Sequence, residues 1–313
     1  MASQGTSRYW LLVVTVFVAT LSAPGCSDDD NGGGDDDIDA SNAITPVAYG
    51  PLSANRDHSC LLQSSGSVRC WGSDEKGQRT PPVSTTFSRI TTGVQFTCGV
   101  KTDGTLACWG DNTKEKAEPP TGNTFTELGA GFDHACAVKQ DNAVECWGSN
   151  DMYQSIVPPG KYVQVAGGGQ HTCGLMVDGT IKCWGDNNQG QCNVPSGRFK
   201  MVTAGWYHSC GLKEDDSVAC WGCQMDEQQF GQCEAPSGAF SLIEAGSGHV
   251  CGIVKSDESV MCWGNKEDGQ SSPPPGSSAK YKSVSAGWKH SCGQKTDDSV
   301  ACWGDDEYGQ SSP

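Results

Sequence analysis

The sequence predicts an all-β protein built from seven copies of one β-hairpin unit. Cys-Trp-Gly recurs at Cys70-Trp71-Gly72, Cys108-Trp109-Gly110, Cys146-Trp147-Gly148, Cys183-Trp184-Gly185, Cys220-Trp221-Gly222, Cys262-Trp263-Gly264 and Cys302-Trp303-Gly304. Successive copies lie 37 to 42 residues apart, near the period of propeller blades. Before each copy the residues alternate as paired strands do. Cys98 and Val100 face Leu106 and Cys108, and Cys210, Leu212, Val218 and Cys220 repeat the pattern. The apolar fraction is 36%, against about 45–50% in ordinary domains. That is low for one conventional core and suits many small units with polar loops.

Three segments follow in order. Residues 1–25 read as an export signal of lipoprotein type: Arg8, an apolar run from Tyr9 to Leu21, then Ser22-Ala23-Pro24-Gly25-Cys26. The run is shorter than the ~20 apolar residues that span a bilayer. The segment resembles bacterial lipoprotein signals, which implies lipidation at Cys26; plain cleavage and release is the alternative. Ser27 implies the outer membrane or cell surface. Residues 26–46 form an acidic, Gly- and Asp-rich tether with too little apolar content to fold. The repeats occupy residues 47–313.

Each unit opens on an aromatic with an apolar residue three places later: Tyr49/Leu52, Phe87/Ile90, Phe125/Leu128, Tyr162/Val165, Phe199/Val202, Phe240/Ile243 and Tyr281/Val284. Ala-Gly or a near variant follows, then two variable residues and the His-x-Cys arm. A small residue comes next in six copies, at Gly99, Ala137, Gly174, Gly211, Gly252 and Gly293. It is expected to let a neighbouring sheet approach closely. After Cys-Trp-Gly a polar loop carries Gly-Gln, which the second and third repeats lose (Lys114 to Ala117, Asp151 to Ser155).

Nine residues separate the two cysteines of six hairpins, with turns such as Asp103-Gly104 between them. A three-residue loop with a glycine bulge then sets the cysteines opposite each other. Opposed Cα atoms lie about 4.5–5.5 Å apart, within disulfide range. The expected bridges are Cys60–Cys70, Cys98–Cys108, Cys136–Cys146, Cys173–Cys183, Cys210–Cys220, Cys251–Cys262 and Cys292–Cys302. Cys192, Cys223 and Cys233 remain besides Cys26. A Cys223–Cys233 bridge closing an insertion in the fifth repeat is the first choice, with 192–233 or 192–223 as alternatives. Cys220 and Cys223 also spell CxxC, a redox motif, but Cys220 belongs first to its hairpin. Eighteen cysteines fit an oxidising compartment.

Ala-Gly-x-x-His-x-Cys, the Asp-Gly turn and Trp-Gly-Asp-Asn-x-x-Gly-Gln resemble the regulator of chromosome condensation repeat. The cysteine-bearing form is similar to crinkly-type plant receptor ectodomains and to bacterial secreted proteins. The resemblance implies a seven-bladed β-propeller with one intra-hairpin disulfide per blade. Physics agrees, since a lone hairpin cannot bury both faces and a closed ring leaves few edges. The loop lacks the Leu-Gly that usually follows Gly-Gln, so a short or missing outermost strand is expected. Asn55 stands where glycine is usual. Nuclear members of the family act on a small GTPase, but such activity lives in surface residues and does not travel with the fold.

A net charge of -16 argues against nucleic-acid or anionic-lipid partners, so membrane contact would run through the lipid anchor alone. All six histidines belong to His-x-Cys: His58, His134, His171, His208, His249 and His290, with Phe96 in the second repeat. A repeated structural hydrogen bond explains them better than a metal ring, and neither a triad nor a phosphate loop is visible. No metal or cofactor is expected. The variable pair before each histidine places Phe132, Trp206, Tyr207 and Trp288 on one rim among carboxylates and amides. Such rings form binding surfaces, or else they cover the axis. The expected function is a monomeric, non-catalytic binding protein of the cell envelope. Its partner is an extracellular protein, or alternatively a glycan. An enzyme alternative is a hydrolase with its site in the axial channel.

Overall fold

The computed structural model describes residues 43–224, 230–274 and 279–313. The export segment, Cys26 and most of the tether lie outside the described residues, as does part of the fifth-repeat insertion. Seven three-stranded antiparallel sheets close into a ring, a seven-bladed β-propeller. The blades run, inner to outer strand, as follows. Blade 1 is Leu52–Ala54, His58–Leu62 and Val68–Gly72; blade 2 is Phe87–Gly93, Phe96–Lys101 and Leu106–Gly110; blade 3 is Phe125–Ala130, His134–Lys139 and Val144–Gly148. Blade 4 is Tyr162–Gly167, His171–Met176 and Ile181–Gly185; blade 5 is Phe199–Ala204, Ser209–Lys213 and Val218–Trp221. Blade 6 is Phe240–Ala245, His249–Val254 and Val260–Gly264; blade 7 is Tyr281–Ala286, His290–Lys295 and Val300–Gly304. Among the described residues no blade has a fourth strand.

Hairpin chemistry sets the register. In blade 2 the Lys101 amide donates to Thr105 O (2.7 Å) and the Gly104 amide to Lys101 O (2.8 Å). Gly104 sits at φ +83, the left-handed residue that a three-residue loop requires. Asn142, Asp216, Glu258 and Asp298 adopt that conformation in other copies. Asp103 Oδ1 caps the turn by accepting from the Thr105 amide at 2.9 Å. Cys98 therefore opposes Cys108. All seven hairpins carry this bridge, with Cα atoms 4.0–4.1 Å apart, including Cys251–Cys262 with its extra residue. Cys223 pairs with Cys233, so Cys220-x-x-Cys223 is divided between two disulfides. Cys192 lies outside the eight bridges, buried, with its Sγ 3.5 Å from Asp186 O.

Two expectations about packing are corrected. The small residue after the first cysteine makes room for the blade's own aromatic rather than for a neighbouring sheet. A Cβ on Gly99 would meet Phe87 at 2.3 Å, and one on Gly211 would meet Phe199 at 2.4 Å. The third repeat also keeps its loop glutamine as Gln154, with Tyr153 taking the positive φ of the missing glycine. In the second repeat Lys116 stands at that place, buried between Asp111 (2.9 Å) and Asp133 (2.7 Å).

Adjacent blades are latched by one recurring unit. Each Cys-Trp-Gly indole donates to a carbonyl in the preceding blade's loop, as Trp109 to Gln78 O at 2.8 Å and Trp184 to Gln154 O at 2.8 Å. Trp71 closes the circle on Gln310 O at 2.9 Å. The histidines lie in the same seams. Nε2 meets a hydroxyl of the next blade in five of them: His58–Thr97, His134–Thr172, His171–Ser209, His249–Ser291 and His290–Ser59, at 2.7–2.8 Å. Thr97 and Thr172 pass their own hydroxyl protons to Gln78 O and Gln154 O, each at 2.9 Å. The imidazole Nε2 must therefore be the donor.

Two seams break the pattern differently. Phe96 replaces the histidine in blade 2, and Ala135 stands at the hydroxyl position of blade 3, so both partners are apolar. His208 of blade 5 faces a seam where blade 6 offers buried Val250, and neither ring nitrogen has a hydrogen-bond partner among the described residues. A buried donor left unmatched costs about 1–3 kcal/mol. Val250→Thr is nearly isosteric and restores the hydroxyl. It should stabilise the protein by about 1 kcal/mol, read as a higher thermal midpoint; an unchanged or lower midpoint would reject this account.

Tyr49 is the third correction. It does not pack on blade 1 as the other opening aromatics pack on theirs. Leu61 occupies the small position there and leaves no room for a ring. Residues 43–50 instead form an arm across the face that carries the hairpin tips. The Ile44 amide donates to Val177 O (3.1 Å) and the Val47 amide to Lys200 O (2.7 Å). Gln164 Nε2 donates to Val47 O at 3.0 Å. Tyr49 then enters the axial channel, where its hydroxyl donates to Val202 O at 2.5 Å. Burial, then Glu244 and Glu127, push its pKa well above the usual phenol range.

Candidate functional site

The turns before each histidine and the loops after Cys-Trp-Gly share one end of the ring, called here the upper face. The Asp111 amide donates to Gln95 O and the Asp305 amide to Lys289 O, at 2.8 and 2.9 Å. Around the axis at this end a hydrogen-bond circle runs from blade to blade. Phe132 N donates to Gly168 O, Gly169 N to Gly205 O and Trp206 N to Ser247 O, each at 3.1–3.2 Å. The last blade closes on the first through Trp288 N to Asn55 O at 3.4 Å. Asn55, where glycine is usual, continues the circle with its side chain, donating to Thr92 O at 2.8 Å. The backbones approach so closely that a Cβ on Gly205 would lie 2.3 Å from Gly246 O.

This circle brings the rim aromatics together over the axis. Phe132 of blade 3 meets Trp206 of blade 5 edge-on, with centroids 4.8 Å apart. Trp206 stacks on Trp288 of blade 7 at 4.8 Å and touches Tyr207 at 5.9 Å. All four rings are half-buried. Phe132, Trp206 and Trp288 line the upper mouth of an axial cavity that Tyr49 lines from below. The rings thus cover the axis and still present an outer surface.

Beneath them the cavity is polar. The innermost strands contribute Ser53, Thr91, Thr203, Ser285 and a single carboxyl, Glu244. Burial pushes Glu244 up to about 8, so it is protonated at neutral pH. The hydroxyls stitch neighbouring blades: Ala54 N donates to Ser285 Oγ at 2.9 Å and Ala245 N to Thr203 Oγ1 at 3.0 Å. Beside the rings, Trp206, Tyr207, Phe230 and Trp288 wall a groove with Ser247 and Asn265. Phe230 comes from the loop that Cys223–Cys233 closes. The repeat pattern does not point to it, because it lies in an insertion and not at a repeat position.

Charge on the upper face is concentrated where blade 7 meets blade 1. Asp57 is raised by partial burial and by Glu75, Asp305 and Glu307 nearby, with Arg56 opposing. Among the described residues no group of three or more metal-ligating side chains converges. The six histidines are fully buried in the seams. Burial lowers them to about 3 for His58, His171 and His249, and to about 4 for His134, His208 and His290.

The family model described as the regulator of chromosome condensation (RCC1) repeat matches residues 52–78, 87–115, 125–154, 162–191, 200–232 and 281–310. These cover more than half of the chain and six of the seven blades. No curated protein sequence matches the chain. Among solved structures, the entire ectodomain of receptor kinase CR4 from Physcomitrella patens is 28% identical with a TM-score of 0.70, covering 81% of this chain and 73% of that one. The CRINKLY ectodomain of receptor kinase ACR4 from Arabidopsis thaliana is 27% identical with a TM-score of 0.69, covering 82% and 95%. Prp20p of Saccharomyces cerevisiae, whose structure is titled with its binding to Gsp1p and histones, shares the fold at 16% identity and a TM-score of 0.59, over 70% and 72%.

Proposed function

Because this chain belongs to the regulator of chromosome condensation (RCC1) repeat family, we propose that it is a non-catalytic binding protein whose upper rim contacts a protein partner outside the cell. The convergence of Phe132, Trp206 and Trp288 supports this reading most directly. Rings from three different blades, half-exposed and set among carboxylates, have the make-up of interface anchors. Eight disulfides favour an oxidising setting. An N-terminal lipid at Cys26 would hold the protein at the cell envelope.

The histidines are committed to the seams, and Glu244, the carboxyl that lines the axial cavity, sits beneath the aromatic cover. The test is capture from the native cell envelope by wild type and by the variant Trp206→Ala/Tyr207→Ala/Trp288→Ala. The variant should keep its circular dichroism and bind the captured protein about thirtyfold more weakly or worse, the scale of one hot spot. Equal capture by both would refute the reading. Binding to a glycan array that the variant loses would replace the protein partner with a sugar.

A further inference from the structure

The rim already holds one cation. The guanidinium of Arg56 lies over Trp288 with Cζ 4.6 Å from the ring centroid, and its Nε is 3.5 Å from the Asp57 carboxylate. A ring face beside a carboxylate suits a guanidinium, which is planar, weakly hydrated and always charged. Trp288 also borders the groove walled by Trp206, Tyr207 and Phe230, whose described lining side chains carry no charge. Phe230 is 38% exposed there. At the lip, Asn265 Nδ2 lies 3.4 Å from the Glu267 carboxylate. Lys289 pairs with Asp268 at 3.5 Å, and Glu267 is exposed just outside the groove, beside Asn265. The groove thus offers open ring faces, with a carboxylate outside its lining held beside Asn265.

We infer that this groove docks an arginine side chain of the protein partner, between Tyr207 and Phe230 with its charge toward Glu267. The inference rests on the protein-binding reading above and adds what the partner must display. The field of the molecule points the same way. The net charge is -16, and Asp57, Glu75, Asp305 and Glu307 crowd the next sector of the rim. A basic segment would be steered to this face and would relieve that repulsion. Lysine brings the same charge but no planar face, so it should bind less well.

The test uses the full-chain protein and labelled hexa-arginine and hexa-lysine peptides, followed by fluorescence anisotropy at physiological salt. Hexa-arginine should bind about fivefold more tightly than hexa-lysine, the scale of a single cation–π contact. Tyr207→Ala and Phe230→Ala should each erase that preference while leaving the thermal midpoint near wild type. Glu267→Gln should weaken hexa-arginine binding, and Asp74→Asn, away from the groove, should leave the preference intact. Equal affinity for the two peptides, or a preference that survives loss of both rings, overturns the inference. Loss of native-partner capture by the Trp206/Tyr207/Trp288 variant, together with no arginine preference, would sink the arginine assignment alone. An arginine preference with unchanged partner capture would instead sink the protein-binding role of the rim.

Discussion

Lowering the pH from about 7 to about 4 is expected to unfold the propeller cooperatively, because six histidines are buried neutral in its seams. Their folded pKa values, about 3 to 4, lie below the ordinary 6.5. The unfolded chain therefore binds more protons between those values. The histidine contribution is whole above about pH 6.5 and is lost as the pH falls toward 4. Each tenfold difference in proton affinity between the folded and unfolded chain is worth ~1.4 kcal/mol, so each histidine costs on the order of 3 kcal/mol at pH 4. Two to five of them would consume the ~5–15 kcal/mol that holds a typical domain folded.

Glu244 works against this trend. Its folded pKa of about 8 exceeds the ordinary 4.5, so it favours the folded state at low pH and loses that contribution as the pH rises through 8. Glu127 and Asp57, also raised by burial, act in the same direction, but three carboxyls do not offset six imidazoles. Tryptophan fluorescence and near-ultraviolet circular dichroism across the pH range would follow the transition. His208→Phe should move the acid midpoint to lower pH, since His208 lacks a hydrogen-bonded ring nitrogen and Phe96 already fills the equivalent place in blade 2. Native spectra persisting to about pH 3 would show that the seams accept the charged rings.

Tyr49→Ala should cost roughly 2–4 kcal/mol, the range for removing a large ring from a packed site. The ring packs against the core clusters formed by blades 4 to 7, and its hydroxyl donates to Val202 O. Without it the arm keeps its backbone contacts on blades 4 and 5 and the packing of Ile44 and Val47. Tyr49→Phe retains the ring and should cost only about 1 kcal/mol, the worth of one hydrogen bond. Thermal unfolding and hydrogen exchange of residues 43–50 measure both effects. An alanine variant as stable as wild type, with the arm's amides still protected, would mean that the ring does not hold the arm in place.

The hairpins are legible in the sequence because their information is local. Cysteine spacing, alternation and the turn residues act within about ten residues of one another, and strand geometry converts them directly into pairing. Seven copies of Cys-Trp-Gly likewise count the blades. Tyr49 is different, because period alone assigns it to blade 1 and the ring goes elsewhere. The contrary signal is Leu61, the only bulky residue at a position otherwise held by glycine or alanine. Phe230 offers no periodic signal, since it stands in an insertion.

From sequence alone come the all-β class, the seven units and the intra-hairpin bridges, each decided by neighbours along the chain. Only the closed ring decides the rest: that Phe132, Trp206 and Trp288 meet over the axis, that His208 faces Val250, and that residues 43–50 stopper the channel. Those contacts join residues 37 or more apart in the chain. They exist because ring closure fixes which blades adjoin and which loops reach the axis, a condition that no single repeat encodes.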